Sequence, residues 1–513
     1  TAIRFAKNGF VVLSIDPISQ GERYQFTNKK GNPSTRGGTT GHTLLDAGSN
    51  LVGTNVPAYQ VWDNERGLDY LTSLNIVDTS RLGCLGNSGG GTQTAYFIPY
   101  DQRIKVSAIA SYVTRRERTL LLLGPQDGCQ WLPDESKAGL DISDYTIMFA
   151  PKPVLILAGR YGFVDYNGTK DVYRELKEVY QYFNQPNKIR LFAADDGHGI
   201  QKSKQIAAVE WFRRWFYQDT SSIKGADLQT LSEKELQVTK TGQVNSSFSD
   251  ENTIQARNLR IADQWKKRRS QLLKRSTSSE YKAMLRKLLR IAPQTSSVRI
   301  QEMGSFSKEG YHFKKLILRR AGQPPLPCLL GFPSEKKNSQ KLLLGLNKNG
   351  KKTILKNEKL WKQYTKDNDI LLLADLRGMG ETADPKSKNP DKYYNKEYRV
   401  AMLSSFIGKP LPGQRVQDIL TLLDYHDQEA QLQATKVKIK ASGPAAEAAL
   451  LATALDHRIN KVSLSDMPSS FYDYLHHPLT KEQYSYVIPD ALVYFDLPDI
   501  VQFIGKDKVQ FDK

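Results

Sequence analysis

The sequence predicts an α/β protein, a parallel sheet with helices on both faces, in two tandem copies of which the second is degenerate. Three observations predict it. Apolar runs of strand length alternate with helical segments of about 10–15 residues. A glycine-rich turn holding one serine, Gly86 to Gly91, sits between such a strand and such a helix. Two sets of anchor residues recur in the second half at nearly constant spacing.

Thr1 to Asn8 reads as the end of a helix capped by Gly9, and Phe10–Ile15 as a strand ending at Asp16. Helical periodicity spans Tyr59–Leu74. Arg81–Leu85 is a strand, followed by glycines and a helix to about Tyr100. Lys105–Tyr112, Pro153–Ala158 and Lys188–Ala193 are further strands; helices are expected near Thr169–Phe183 and at Lys202–Tyr217. Continuous apolar strands separated by helices imply a parallel sheet covered on both faces. Residues 221–295 turn polar and read as a linker, with a hairpin at Leu236–Val244 and a basic helical stretch over Ile254–Leu289. Residues 296–513 repeat the first pattern. Val298–Met303 and His312–Arg319 form a hairpin, followed by strands at Leu342–Leu346, Ile370–Ala374, Val437–Ile439 and Lys461–Ser465. The expected domains are 1–220, 221–295 and 296–513.

Asp16, Gly21 and Glu22 match Asp375, Gly380 and Glu381 at an offset of 359, and Asp101, Arg103 and Ile104 match Asp456, Arg458 and Ile459 at 355. Strands precede Asp375 that have no counterpart before residue 9. The first copy also continues beyond the point corresponding to Lys513. The sequence is therefore expected to be a window on a longer protein.

The 513 residues suit two or three domains. No apolar run reaches the roughly 18 residues that suggest a spanning helix, so no membrane span is expected. Cys84, Cys129 and Cys328 are odd in number and far apart, which argues against a disulfide framework or a zinc site. No metal or cofactor is expected. The net charge of +19 favours anionic partners and concentrates in 264–290 and 335–363. Without zinc-finger spacing, an aromatic RNA-binding strand motif or a phosphate loop, nucleic acid is not the expected partner.

Chemistry points to the Gly86–Gly91 turn. Gly86-Asn87-Ser88-Gly89-Gly90, between strand and helix, is the pattern of a nucleophile elbow. Ser88 would be the nucleophile. Gly86 and Gly90 would flank it because a Cβ there would clash, and the Gly89 N–H would face an oxyanion. A hydroxyl needs a base. His198, between Gly197 and Gly199 in the loop after the last strand of the first copy, is placed to supply it. The orienting acid should follow the Pro153–Ala158 strand; Asp165 is the candidate, with Asp127, Asp144, Asp195 and Asp196 as fallbacks. The 355 offset sets Gly443 opposite Ser88 and Pro444 opposite Gly89, so the second copy is expected to be inactive.

These segments resemble acetyl xylan esterase-like carbohydrate esterases of the α/β-hydrolase superfamily. The matching residues are Asp16 to Arg23, the Gly86–Gly91 elbow, Gly124 to Asp127, Ala150 to Pro153 and Gly197-His198-Gly199. The resemblance implies two tandem α/β-hydrolase folds. It also implies a serine esterase removing acetyl or methyl esters from a plant or algal polysaccharide through an acyl-enzyme, as in pectin methylesterase-like proteins of Bacteroidetes. The cysteine count is compatible with cytoplasm or periplasm, and a periplasmic or secreted location is expected. The chain departs from the pattern twice: Gly162 stands where relatives place an acid, and Cys129 where an acidic or amide side chain is expected.

Arg115, Arg116 and Arg118 follow the Lys105–Tyr112 strand, and guanidinium forks suit carboxylates, so an anionic, pectin-like oligosaccharide or polysaccharide is the expected substrate. Gln20 and Arg23, in a matching segment, are further candidate contacts, and Trp131 could stack on a sugar ring. Two alternatives stand beside this reading. One is a serine peptidase of the prolyl-oligopeptidase type, which shares the elbow but would need a gating domain. The other is a glycan-binding protein that has lost catalysis.

Overall fold

The computed structural model describes residues 1–512 except 224, 250–251, 294–295, 336–340, 386–393 and 433–435. Residues 336–340 of the basic stretch 335–363 therefore lie outside the described residues. The chain divides into two compact units: Thr1–Asp46 with Asn55–Ile254, and Ala47–Thr54 with Gln255–Lys513. Residues 221–254 thus group with the first unit and 255–295 with the second.

In the first unit, β1 (Leu82–Asn87), β2 (Ile104–Ala110), β3 (Val154–Gly159) and β4 (Ile189–Ala194) form a sheet in sequence order, with all pairs parallel. The crossovers carry helices α1 (Gly89–Tyr100), α2 (Arg116–Leu122), α3 (Ile142–Ile147) and α4 (Tyr166–Tyr182), and α5 (Lys202–Phe216) follows β4. Side chains alternate across β3. Val154 and Ile156 pack with Val172, Leu176 and Tyr180 of α4 on one face, while Leu155 and Leu157 meet Trp211 and Phe212 of α5 on the other. Each fully buried large apolar side chain contributes about 1.5–3 kcal/mol, so apolar strands carry this double burial.

Two sequence expectations are corrected here. Phe10–Ile15 belongs to no sheet among the described residues. Among the described residues no strand pairs with it, and Val11, Val12, Leu13 and Ile15 stay about 40% exposed. Leu236–Val244 forms no hairpin. Ser232 caps a helical turn at Glu233–Leu236, and a second turn follows at Val244–Ser247. Its turn chemistry answers instead to Glu22, whose carboxylate accepts from the Val238 and Thr239 N–H groups, each at 2.7 Å.

Besides Ala47–Thr54, the second unit holds helices α6 (Ile254–Arg275), whose first residue groups with the first unit, and α7 (Ser278–Leu288), separated where Thr277 caps the latter. Its sheet contains β5 (Arg299–Lys308), β6 (Tyr311–Arg319), β7 (Leu326–Pro333), β8 (Leu342–Leu346), β9 (Ile370–Ala374), β10 (Val437–Ser442), β11 (Ile459–Ser465) and β12 (Val509–Phe511). The spatial order is β12-β11-β10-β8-β9-β7-β6-β5. Pairing is parallel from β12 to β9 and antiparallel from β9 to β5.

The internal repeat recurs as geometry. Leu82 pairs with Ile104 and Gly83 with Val106; at the 355 offset, Val437 pairs with Ile459 and Lys438 with Lys461, with the register shift at the same step. Asp101 accepts from the Arg103 N–H at 2.9 Å and Asp456 from the Arg458 N–H at 3.0 Å. Asp16 accepts from Glu22 N–H, and Asp375 from Glu381 N–H, both at 2.9 Å. By the 359 offset Phe10–Ile15 corresponds to β9 and its approach. In the second unit that strand is flanked by β8 and β7; the described residues of the first unit hold no counterpart of either, which is why Phe10–Ile15 lacks a ladder.

Candidate active site

Ser88 links β1 to α1 with φ 56° and ψ −118°. A non-glycine residue in such a region costs about 1–3 kcal/mol and persists only where its surroundings over-determine it. Here the Ser88 N–H donates to Ala110 O at 2.9 Å, and the Ser88 carbonyl accepts from the Thr92 N–H at 2.9 Å. A Cβ on Gly86 would lie 2.0 Å from the Gly90 carbonyl oxygen, so this glycine is demanded by space. Gly90 is not: a Cβ there meets nothing within 4 Å. The second crowded glycine is Gly91, whose Cβ would sit 2.7 Å from Ala110 O and 2.9 Å from Tyr112 Cβ. Gly89 opens the 12-residue helix α1, and its N–H makes no backbone hydrogen bond among the described residues. An unpaired N–H at a helix N-terminus is suited to receive a developing oxyanion.

His198 lies beyond β4 in a loop that reaches back across the sheet. Its neighbour Gly199 donates to Ser111 Oγ at 3.3 Å, one residue past the Ala110 carbonyl that holds Ser88. Elbow and histidine loop thus meet at the C-terminal end of β2. The His198 ring stacks on Phe163 with centroids 4.1 Å apart. Beneath the loop, the fully buried Lys204 donates to Gly197 O at 3.2 Å and pairs with Asp196 at 2.8 Å. Burial first, and the Lys204 ammonium second, hold His198 below the usual imidazole range. Ser88 Oγ and His198 are not hydrogen-bonded to each other, and such contacts often tighten only with substrate present.

The expected acid is engaged elsewhere. Asp165 is the N-cap of α4, its Oδ2 accepting from Gly168 N–H at 2.6 Å and pairing with Arg118 at 3.1 Å. Among the described residues, Nδ1 of His198 is buried without a hydrogen-bond partner. Of the fallbacks, Asp144 closes the capping box of α3, Asp195 pairs with Arg160 at 2.6 Å, Asp196 serves Lys204 and Asp127 is buried. Cys129 is buried, and burial pushes its thiol well up, so it acts as core.

The expected arginine and tryptophan contacts are likewise engaged within the chain. Arg115 pairs with Glu175 at 2.6 Å. Arg116 is buried, bound to Glu135 at 2.6 Å and to Gln130 O at 2.9 Å. Trp131 is 1% exposed and cannot stack on a sugar. Arg23 pairs with Asp63 at 2.8 Å and donates to Asp16 O at 3.1 Å. Gln20 sits in a turn where its N–H donates to Pro17 O at 3.0 Å. Sequence reasoning missed Phe163 and Lys204: neither a lone aromatic nor a lysine among helix lysines signals a place beside His198.

The second unit holds a turn of similar backbone shape between β10 and the helix at Pro444–Leu455. Gly443 has φ 64° and ψ −138°, and its N–H donates to Ser465 O at 2.9 Å, as Ser88 donates to Ala110. A Cβ on Gly443 would meet the Lys348 side chain at 2.8 Å, and Pro444 offers no N–H.

No family model matches the chain. A Bacillus subtilis protein named as a hydrolase, YtaP, is 24% identical over 171 residues, which are 32% of this chain and 56% of that protein. The chain thus spans little more than half the length of this relative. Among solved structures, the chain is similar to an acetyl xylan esterase from Bacteroides fragilis, at 13% identity and TM-score 0.40, over 46% of this chain and 67% of that one. It is similar to a methylesterase at 19% identity and TM-score 0.33, over 46% and 49%. A glucuronoyl esterase from Solibacter usitatus follows at 15% identity and TM-score 0.29, over 32% and 49%.

Proposed function

We propose that this chain is a serine ester hydrolase acting on carbohydrate esters, with Ser88 as nucleophile, His198 as base and the Gly89 N–H as oxyanion donor. The observation that carries the proposal is the strained Ser88 backbone, held between β1 and α1 beside an unpaired helix N-terminal N–H. In the first step His198 takes the Ser88 Oγ proton as oxygen attacks the ester carbonyl. The Gly89 N–H receives the negative oxygen, and the departing alkoxide takes the proton from His198. Water then attacks the acyl-enzyme, giving a proton to His198, and as the bond from Ser88 Oγ to the acyl carbon breaks, His198 returns that proton to Oγ and the acid leaves.

The substrate class is an acetylated or methyl-esterified plant or algal polysaccharide, met in the periplasm or outside the cell. With each expected arginine paired inside the chain, a preference for anionic glycans rests on the net charge of +19. The second unit is proposed as a degenerate copy of the first, on the shared register and elbow dihedrals. A second reading, glycan binding without turnover, is favoured by one observation, the unpartnered Nδ1 of His198. Release of acetate from acetylated xylan against methanol from methyl-esterified pectin, with Ser88→Ala as the blank, separates these possibilities. Glycan binding with no release of either product would overturn the esterase.

A further inference from the structure

Helix α6 sorts its cations by face. Arg269, on the face turned into the second unit with Asn258 and Ala262, is buried and pairs with Asp499 at 3.5 Å. Arg257, Arg260, Lys267, Arg268, Lys274 and Arg275 fall on the opposite side. At about 100° and 1.5 Å per residue they occupy a band about 120° wide that runs about 27 Å along the helix. Gln264 and Gln271 fill the gaps between them, and all but the half-buried Arg257 are exposed. Among the described residues none of these cations is in an ion pair. Elsewhere Arg66 and Lys362 find carboxylates on their own helices, Asp69 at 2.8 Å and Glu358 at 2.6 Å. The one carboxylate of α6, Asp263, accepts from Tyr472 Oη at 3.3 Å. Like charges on neighbouring turns repel, so the band costs stability rather than adding to it.

Arg268 adds geometry to charge. Its guanidinium stacks over Trp265 at 5.0 Å and lies 5.9 Å from the Tyr494 ring. Stacking fixes the plane of the fork and leaves its N–H edge open to a planar anion.

We propose that the outer face of α6 is a docking surface for an acidic polysaccharide, whose carboxylates are held by the arginine and lysine band and whose hydroxyls are met by Gln264 and Gln271. Charge repeated along a line fits a polymer with a carboxylate on successive sugars, and guanidinium forks bind carboxylates bidentately. The choice of a glycan rests on the carbohydrate-ester reading above. Two other polyanions fit the face less well. A membrane surface needs an apolar face to insert, and the other side of α6 is packed against its own unit. Single-stranded nucleic acid needs open aromatic rings for its bases, and Arg268 lies over the ring of Trp265.

The test uses the full chain carrying Ser88→Ala, so that binding is read without turnover. Polygalacturonate, a fully de-esterified polymer, is the probe, with dextran as the uncharged control and duplex DNA as the competitor at equal ionic strength. Arg260→Glu, Lys267→Glu and Lys274→Glu together should weaken polygalacturonate binding about tenfold or more and flatten its salt dependence. Lys7→Glu, Lys177→Glu and Lys234→Glu together change the net charge equally at exposed positions of the first unit, and should leave binding within about twofold. Equal losses in the two triple variants, or polygalacturonate bound no better than dextran, would overturn the surface. DNA bound more tightly than polygalacturonate would overturn the glycan as its occupant, and this comparison stands even if the α6 variant does not fold. Ester turnover by the wild type is read separately. Band-dependent binding in a chain that turns over no ester would keep the surface and overturn the Ser88–His198 reading; turnover without band-dependent binding would do the reverse.

Discussion

Gly86→Ala should damage the elbow, and Gly90→Ala should not, although the G-x-S-x-G pattern makes the two positions look equivalent. The new methyl at position 86 would lie 2.0 Å from the Gly90 carbonyl oxygen, 2.3 Å from its carbon and 2.7 Å from Thr94 Oγ1. Backbone must retreat by about 1 Å, at an overpacking cost of about 1–3 kcal/mol. The retreat shifts the first turn of α1, which carries the Gly89 N–H and sets Ser88. A misplacement of about 1 Å can reduce turnover roughly 10²-fold. At position 90 the methyl meets nothing, and in a helical turn alanine is favoured over glycine by up to about 1 kcal/mol. Denaturant unfolding and ester turnover on the three proteins read both effects. A silent Gly86→Ala, or equal losses in the two variants, would refute this account of the elbow.

Other expected outcomes follow from the same geometry. Ser88→Ala and His198→Ala should abolish ester turnover, whereas Gly443→Ser should restore none to a Ser88→Ala protein; activity in that double variant would overturn the inactive reading of the second unit. Glu135→Ala should cost about 3–5 kcal/mol in unfolding free energy, because it strands the buried Arg116, and a change confined to KM would return Arg116 to substrate binding. Asp165→Ala should cost about 1 kcal/mol through the lost α4 cap and leave turnover within a few-fold; a loss of several powers of ten would make it the acid after all. The folded state holds His198 below its usual pKa, so between the folded and unfolded values the unfolded chain binds more protons. Stability from this group is therefore present above the unfolded value near 6.5 and is lost as pH falls through the lowered folded one. The acid limb of kcat/KM should likewise lie below 6.5, and a limb above it would contradict the desolvated base.

The sheet of the first unit was legible because double burial makes its strands continuously apolar, and periodicity reports that directly. Ser88 and His198 could be picked out as candidates because each sits among glycines after a strand. The shared local turn could be read from Asp101 and Asp456, whose carboxylates accept from the N–H two residues on in both units. What failed depends on neighbours distant in sequence. Phe10–Ile15 reads as a strand from its own residues, but a strand also needs a partner. Arg115, Arg116 and Trp131 look like rim residues from their distance past β2, yet carboxylates and packing far along the chain claim them. Gly90 looks like part of the elbow pattern, but the register of α1 gives the crowded position to Gly91. The β7 and β12 strands were missed because prolines punctuate the first and only three residues make the second.

The central claim is that Ser88 is an activated nucleophile. Incubation with a fluorophosphonate ester, followed by mass analysis of the digested chain, tests it most directly. The account predicts one adduct per chain on the peptide carrying Ser88, absent in Ser88→Ala and strongly slowed in His198→Ala. An unlabelled chain, or an adduct on any other residue, would contradict it.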